Sequence, residues 1–413
     1  MEGWGFDLER TLEGEPIARL LIADRQMRIG CAQVRMGGIG GVWTDRQHRK
    51  QGHMRALMDR AVQFMRDEGF EVSLLFGITD FYPRWGYATM IPDQRLTIAT
   101  ESALRAARDL KVRAYRRGEM PLLDAIYNSV NALRTCSIVR PVFPCAERAR
   151  PSSPLEPPKM PRDTFRMGTR FFTTVKVFVV EDERGRIVGY GVYDREHVDR
   201  HTGEKTPIQD EVAVAEVGAT QQRAYDAILA HLGRLAQSRP GGIEQIVAFV
   251  PMDDPFALHC RSYGAEQQLS ALPDGGAMMR IINLERLFEK LEPELTRRVA
   301  GRGLSGKLAL VTDLGSVAVR VSNRSARVVA SLKDADYTLE LEQWKLLQLL
   351  IGYRTLEDVL ADPRQLAFAP ASPQSREHTT SPRRVQPRAS SLQSLLCPLF
   401  PTQWPFCWRP DWF

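Results

Sequence analysis

The sequence predicts an α/β (α+β) protein whose mixed sheets are flanked by helices. Three observations carry that prediction. Between Met27 and Phe76 the text runs strand, glycine-bearing turn, helix, strand, the order of a βαβ unit. Residues 99–283 repeat that order of elements. Residues 284–413 then open with a helix and continue as alternating strands.

The elements follow in order. Strand text covers Ile17–Asp24 and Met27–Val34, and Gly37–Thr44 ends in Val42-Trp43 as a strand edge. In Gly52–Gly69, residues Met54, Leu57, Met58, Ala61, Val62 and Met65 fall at three-to-four spacing, which predicts a helix. Val72–Phe76 is a short apolar run between turn signals, the mark of a buried strand. Strands are predicted at Val112–Tyr115, Val175–Glu181, Ile187–Tyr193, Val212–Val217 and Ile246–Pro251. Helices are predicted over Met120–Leu133 and Gln221–Ala236, with a proline-rich loop between Arg140 and Arg162. The last stretch has a helix at Leu284–Val299 and strands at Leu308–Thr312, Ser316–Val321, Ala326–Ala330 and Tyr337–Leu341. Glu342–Ile351 and Thr355–Leu360 read as helices. Residues 369–391 are rich in Pro, Ser, Thr and Arg and read as a disordered insertion. The ending carries Trp404, Phe406, Trp408, Trp412 and Phe413. So many rings need burial, so this tail is expected to pack back onto the protein.

Composition narrows the class of function. The 413 residues leave room for two or three domains. No run of eighteen apolar residues occurs, so no membrane helix is expected. The start, MEGWGFDLER, lacks the basic and apolar regions of a secretory signal. Cys31, Cys136, Cys145, Cys260, Cys397 and Cys407 form no CxxC pair, which fits free thiols in the cytoplasm. His197 and His201 have i, i+4 spacing but lie in loop text, so no metal site is expected. The net charge of +6 comes from arginines spread along the chain, without a nucleic-acid module. A phosphate-rich cofactor suits that surface better than nucleic acid.

One motif carries chemistry. Arg49-x-x-Gly52-x-Met54 stands just before the predicted helix. A helix N-terminus offers unpaired N–H groups and partial positive charge, both suited to pyrophosphate. Gly52 lets the backbone approach closely, and Arg49 and Lys50 add charge. Taken alone, these residues fit a basic helix cap better than a phosphate cradle.

The wider text resembles a known family. GGIGGVWTDRQHRKQGHMRALMDRAVQFMRDEGFEVSLLF, followed by FYPRWGY, is similar to the core of the GNAT acetyltransferases, of the enhanced-intracellular-survival (Eis) type. That family shows a strand, R/Q-x-x-G-x-G/A, a helix, a strand and a Y-x-R-F-G-Y-like motif. Tyr82-Pro83-Arg84-Trp85-Gly86-Tyr87 stands in the last place, and Met54 departs from the usual Gly or Ala. The resemblance implies tandem GNAT-like domains and then a sterol-carrier-protein-like α+β domain. It divides the chain into 1–98, a first domain without the usual leading strand and helices, 99–283, a degenerate second one, and 284–413. The tail would enter the first domain's active site. Without leading helices, one side of the first sheet is expected to stand uncovered.

The resemblance also implies a reaction: an amine attacks the thioester of acetyl-CoA directly. Val42, Trp43 and Thr44 would hold the cofactor through backbone N–H groups and polarise the acetyl carbonyl. Arg49, Lys50, Gln51, Gly52, His53, Met54 and Arg55 complete the implied cofactor loop. Tyr82 matches the family's general acid, although its residue context alone also fits a packing tyrosine. Tyr87, after Gly86, is expected to be structural. The Phe413 α-carboxylate matches the family's base for the amine. His53 is expected to face solvent or phosphate. Asp411 and other local acids are open to binding a polycation. The implied acceptors are an aminoglycoside, a polyamine or a protein lysine, and the implied assembly is a homo-oligomer up to a hexamer. No metal, nucleic-acid or membrane partner is implied. The alternative is an inactive relic that serves as a binding or lipid-carrier protein.

Overall fold

The computed structural model describes residues 5–116, 118–140, 176–194, 196–198, 205–363 and 395–411. Residues 141–162, the 369–391 insertion, Val175, His201, Trp412 and Phe413 lie outside the described residues.

The first sheet begins as an antiparallel meander of β1 (Gly5–Leu12), β2 (Glu15–Ile29) and β3 (Ala32–Thr44). Two separate strands were expected at Ile17–Asp24 and Met27–Val34, but β2 runs unbroken to Ile29. The polar stretch at its centre stays in the sheet because Asp24 pairs with Arg35 on β3 at 2.8 Å. The chain turns instead at Gly30-Cys31. Helix α1 (His53–Asp67) then returns to β4 (Val72–Gly77), which joins β3 in parallel. Leu57, Met58, Ala61, Val62 and Met65 form the buried stripe of α1. β5 (Ala88–Ile91) follows.

The middle of the chain repeats the scheme. Its elements are β6 (Asp93–Ala99), α2 (Thr100–Leu104), β7 (Lys111–Ala114), α3 (Met120–Val130), β8 (Lys176–Glu181) and β9 (Ile187–Asp194). A short hairpin of β10 (Glu196–Val198) and β11 (Lys205–Pro207) precedes β12 (Glu211–Ala219). Then come α4 (Gln222–Gln237), β13 (Gln245–Ala248), α5 (Pro255–Cys260), β14 (Glu266–Ser270) and β15 (Gly276–Ile281). β12, α4 and β13 form a second βαβ unit with parallel pairing.

The two sheets exchange strands. The first has the order β1-β2-β3-β4-β15-β5, and the second β14-β6-β13-β12-β9-β8-β7. β15 comes from residues 276–281 yet sits between β4 and β5. β6 comes from residues 93–99 yet sits between β13 and β14. Strands therefore cross in both directions between residues 1–98 and 99–283.

A third sheet follows α6 (Leu284–Val299). It contains β16 (Gly306–Thr312), β17 (Gly315–Ser322), β18 (Ser325–Val329) and β19 (Tyr337–Glu340), in the order β18-β17-β16-β19. Helices α7 (Gln343–Leu350) and α8 (Leu356–Ala361) complete it.

Successive side chains of a strand point to opposite faces, and that alternation builds the cores. On β4, Leu75 packs with Leu57, Met58 and Ala61 of α1. Val72 and Leu74 face the other way, toward Met36 and Met279. That second face was expected to be open. It is covered by α6, through Leu287, Phe288, Leu291 and Leu295, and by α7. The covering comes from α6 and α7, far along the chain.

The tail packs back as expected. Leu395, Leu396, Leu399 and Phe400 join the core under the third sheet, and Phe406 and Trp408 join the core of the second. Trp404 departs from the expectation and is 40% exposed. The backbone is pinned on both sides of it, at Gln403 N to Gly352 O and at Pro405 O to Gln94, which leaves its ring outside. No described helix is long and apolar enough to cross a membrane.

Candidate active site

The site starts where β3 and β4 part. They pair only from Met36–Val72 to Ile39–Leu75, yet β3 continues to Thr44 and β4 to Gly77. Beyond the last pair the two strands no longer share hydrogen bonds. On its other edge β3 pairs with β2, with one extra residue on β3 between Gly40 and Trp43. Gly41 takes φ 58 there. A glycine in the left-handed region at an inserted residue is a bulge, which re-aims the strand it interrupts. Val42 and Thr44 follow, half-buried, and Trp43 is exposed with Arg19 over its ring at 5.7 Å.

The loop from Asp45 to Gly52 is held by its own contacts. Asp45 N donates to Ile17 O at 2.9 Å, and the Asp45 carboxylate caps the next turn through Gln47 N. Arg49 Nε reaches Thr44 O at 3.3 Å, and Gln51 Nε2 reaches Gln47 O at 3.1 Å. Gly52 is the N-cap of α1, with φ 83 and no side-chain cap. A Cβ added to Gly52 would meet nothing within 4 Å. The left-handed turn therefore explains this glycine by backbone alone, and the space in front of it is open. The first intrahelical bond runs from Ala56 N to Gly52 O. The N–H groups of His53, Met54 and Arg55 have no partner among the described residues, and the first turn carries no acidic residue. Arg49, Lys50 and Arg55 are exposed beside it. Fifteen residues of aligned helix dipole add positive potential at this end.

His53 does not face solvent freely. Its Nε2 lies 3.4 Å from Gln51 Oε1, and its Nδ1 is buried without a hydrogen-bond partner among the described residues. An anion's oxygen at the helix N-terminus would satisfy such a nitrogen. The open cradle, the free N–H groups and this nitrogen together fit a pyrophosphate-bearing cofactor.

The Tyr82 motif closes the other side. The Tyr82 ring packs at 4.8 Å from Phe81, and a Cβ on Gly77 at the end of β4 would lie 2.6 Å from it. Its hydroxyl makes no hydrogen bond among the described residues. Burial pushes this phenol up to about 12. Tyr87 differs. It is fully buried and donates to Ser73 Oγ at 2.7 Å, which donates to Gly37 O at 2.7 Å. Tyr87 is thus spent on the sheet, and the Tyr82 hydroxyl is the one of the two left unbonded among the described residues.

Residues far away in sequence brace this motif, and no local signal announced them. Trp85 Nε1 donates to Asp59 Oδ1 on α1 at 2.7 Å. Arg280 on β15 donates to Trp85 O. Gln343 on α7 donates to Gly86 O at 2.5 Å and accepts from Ile281 N at 2.8 Å. All three sequence stretches therefore fix the turn that carries Tyr82.

The tail reaches the end of β4. A cavity of about 320 Å³ lies between Phe76, Ile91 and Ala277 of the first sheet, Phe249 of the second half, and Phe406 and Arg409 of the tail. On β4, Phe76 lies with Val72 and Leu74 on the face opposite Leu75 and Tyr82. Asp411 was open to substrate binding, but its carboxylate is already engaged. It accepts from Arg140 Nε and Nη2 at 2.9 Å each and from Tyr127 at 2.9 Å. Arg140 also grips Glu216 at 2.7 and 2.8 Å. Asp411 is an anchor for the tail, and Phe413 follows two residues later, outside the described residues.

Comparison with known proteins adds an independent line. Residues 9–90 match the family model described as the acetyltransferase (GNAT) domain. No curated protein matches the chain. The fold is similar to a GCN5-related N-acetyltransferase from Anabaena variabilis, at 15% identity and TM-score 0.67, over 98% of this chain and 89% of that one. A GCN5-related N-acetyltransferase from Kribbella flavida gives 18% identity and TM-score 0.64, over 98% and 87%. Eis1 from Mycobacterium abscessus gives 18% and 0.52, over 86% and 82%. Residues 9–90, which hold the split strands, the Gly52 helix start and the Tyr82 turn, thus match the acetyltransferase (GNAT) domain.

Proposed function

We propose that this protein is an acetyl-CoA-dependent N-acetyltransferase of the Eis type that acts on amines. The observation that carries the reading is the placement of an unspent, buried phenol, Tyr82, against the end of the split strand pair that leads to the Gly52 helix start. Acetyl-CoA bound there would supply the acetyl thioester that an acceptor amine attacks. Gly52 and the first N–H groups of α1 would bind its pyrophosphate, with Arg49, Lys50 and Arg55 adding charge and Gln51 and Met54 beside them. The backbone of Val42–Thr44 would hold the pantetheine side and polarise the carbonyl.

Tyr82 keeps its proton at Oη until a thiolate needs it. Free phenol and thiol values of about 10 and 8.5 make that transfer nearly balanced. Burial raises Tyr82 to about 12, which weakens it as an acid by about 3 kcal/mol. A thiolate in the same dry setting is raised by the same desolvation, which restores part of the balance. The Phe413 carboxylate is the proposed acceptor-side group. Asp411 holds the chain two residues earlier, a contour of at most about 7 Å. The cavity of about 320 Å³ next to Phe76 is the proposed acceptor space. Residues 284–413 would be the sterol-carrier-protein-like part. Leu308, Val319, Trp344 and Leu347 fill its interior, which favours a packing role over lipid carriage.

Thiol release from acetyl-CoA, screened over polyamine, aminoglycoside and lysine-peptide acceptors, tests this. Release should require an amine and should collapse in Tyr82→Phe and in a chain lacking Phe413. Equal rates in both variants would sink the mechanism, and no acetyl-CoA binding at millimolar concentration would sink the enzyme.

A further inference from the structure

A second recess lies away from the Tyr82 turn. It has a volume of about 460 Å³ and is lined by Arg297, Arg298, Arg302, Cys397, two prolines and Gln403. It sits where α6, the root of the tail and the β2–β3 turn meet. Three guanidinium groups line it, and one carboxylate, Glu294, pairs with two of them among the described residues. Glu294 accepts from Arg297 Nε and Nη2 at 2.8 Å, from Arg298 Nε at 2.7 Å and from Cys31 N at 3.1 Å. Its acceptor capacity is used up.

The arginines are not equivalent. Arg298 is buried and has spent its other nitrogens on Leu399 O at 2.8 Å and Leu350 O at 2.9 Å. Arg297 and Arg298 lie in the last turn of α6, where positive charge also complements the helix dipole. That accounts for these two. It does not account for Arg302, which lies beyond the helix and has no side-chain partner among the described residues. Nor does it account for Gln403. Its Oε1 accepts from Thr135 at 2.6 Å, yet its Nε2 is buried with no hydrogen-bond partner among the described residues. A buried donor left unmade is costly, and a ligand oxygen would remove that cost.

We propose that this recess binds a soluble organic phosphate at a site separate from the Gly52 cradle. Two uncompensated guanidinium charges call for an anion with several acceptor oxygens, and arginine suits phosphate through its paired donors. The volume exceeds what a bare phosphate needs and falls within the range of small-molecule sites. Occupancy joins Arg302, on the loop after α6, to Gln403 in the tail. It therefore stiffens the tail at its root.

The test uses the full chain, with pyrophosphate as probe, at constant ionic strength and with the Gly52 cradle saturated by coenzyme A. Calorimetry should show saturable binding, and the melting temperature should rise. Arg302→Ala and Gln403→Glu should each weaken pyrophosphate at least tenfold. Gln403→Glu keeps the Thr135 bond, so it tests charge with the fold intact. Arg49→Ala should leave this binding unchanged. Unaltered affinity in both recess variants overturns the proposal, as does a melting shift that sodium chloride reproduces. Sedimentation with phosphatidylglycerol vesicles, above a phosphatidylcholine control and lost in Arg302→Ala, would overturn the soluble ligand in favour of a lipid headgroup.

Discussion

Trp85 donates its indole N–H to Asp59 Oδ1 at 2.7 Å, and Tyr263 donates its hydroxyl to Asp226 Oδ1 at 2.5 Å. The two bonds are counterparts. Each ties an aromatic residue to the helix of a βαβ unit, just before a left-handed glycine, Gly86 at φ 79 and Gly264 at φ 82. Three residues before Trp85 stands Tyr82; three residues before Tyr263 stands Cys260, a buried thiol pushed far up by desolvation. The second helix starts after Gln221, in extended conformation, without the left-handed cradle. The scaffold stands in both halves, and the phenol and the left-handed cradle in one. Asp59→Ala leaves the indole unpaired and loosens the Tyr82 turn, so acetyl transfer should fall by about tenfold. Asp226→Ala should lower stability by a similar amount and leave acetyl transfer alone. Paired thiol-release and urea measurements decide, and equal activity losses in both variants would refute the assignment of the site to the first half.

The raised Tyr82 phenol predicts a pH profile. A phenol held at about 12 stays protonated, and so stays a proton donor, throughout pH 6–10. The same sign holds for stability. The folded value lies above the free value of 10, so the contribution is complete below pH 10 and is lost as pH rises through about 12. Tyr82→Phe should lower kcat by about 10²- to 10⁴-fold at every pH in that range, with acetyl-CoA affinity retained. A basic limb below pH 10 that disappears in Tyr82→Phe would contradict the buried phenol.

Local pattern made much of this legible. The stripe Leu57, Met58, Ala61, Val62 and Met65 marks α1 because burial on one helix face repeats every three to four residues. The ring-rich ending announced its own burial, which Trp408 meets and Trp404 does not. β1 was silent because an edge strand with one covered face shows little alternation beyond Phe6 and Leu8. The strand exchange was silent because nothing within β6 or β15 names its partner strand. The brace on Tyr82 is the extreme case. Arg280 and Gln343 reach Trp85 and Gly86 across 195 and 257 residues, and each bond ends on a backbone carbonyl that any residue would offer.

The tail anchor gives a third prediction. Arg140 lies between Glu216 and Asp411 and stacks on Tyr127 at 3.6 Å. Arg140→Met strips the counter-charge from two buried carboxylates and should cost about 3–5 kcal/mol. Asp411→Asn keeps an acceptor for Tyr127 and loses only the tail's charged grip, so it should cost about 1–2 kcal/mol. If Phe413 works in the acceptor space, Asp411→Asn should still depress acetyl transfer severalfold while the chain remains folded. Urea denaturation beside thiol release separates the two effects, and full activity in Asp411→Asn would detach the anchor from function.

Asp194 closes β9 with a buried carboxyl whose Oδ1 has no hydrogen-bond partner among the described residues. Burial lifts it to about 7, and the positive charge of Arg409 works against that rise. The folded chain therefore holds a proton that the unfolded chain gives up above pH 3.8. The stabilising contribution is complete below that value and is lost as pH rises through about 7. Three pKa steps correspond to about 4 kcal/mol at most. Asp194→Asn removes the ionisation and keeps the shape, so its stability relative to the parent should climb between pH 5 and pH 8 by about 2–3 kcal/mol. Urea denaturation at the two pH values measures that climb. A difference that stays flat or falls with pH would mean that Asp194 is ionised in the folded chain, with Arg409 outweighing the burial.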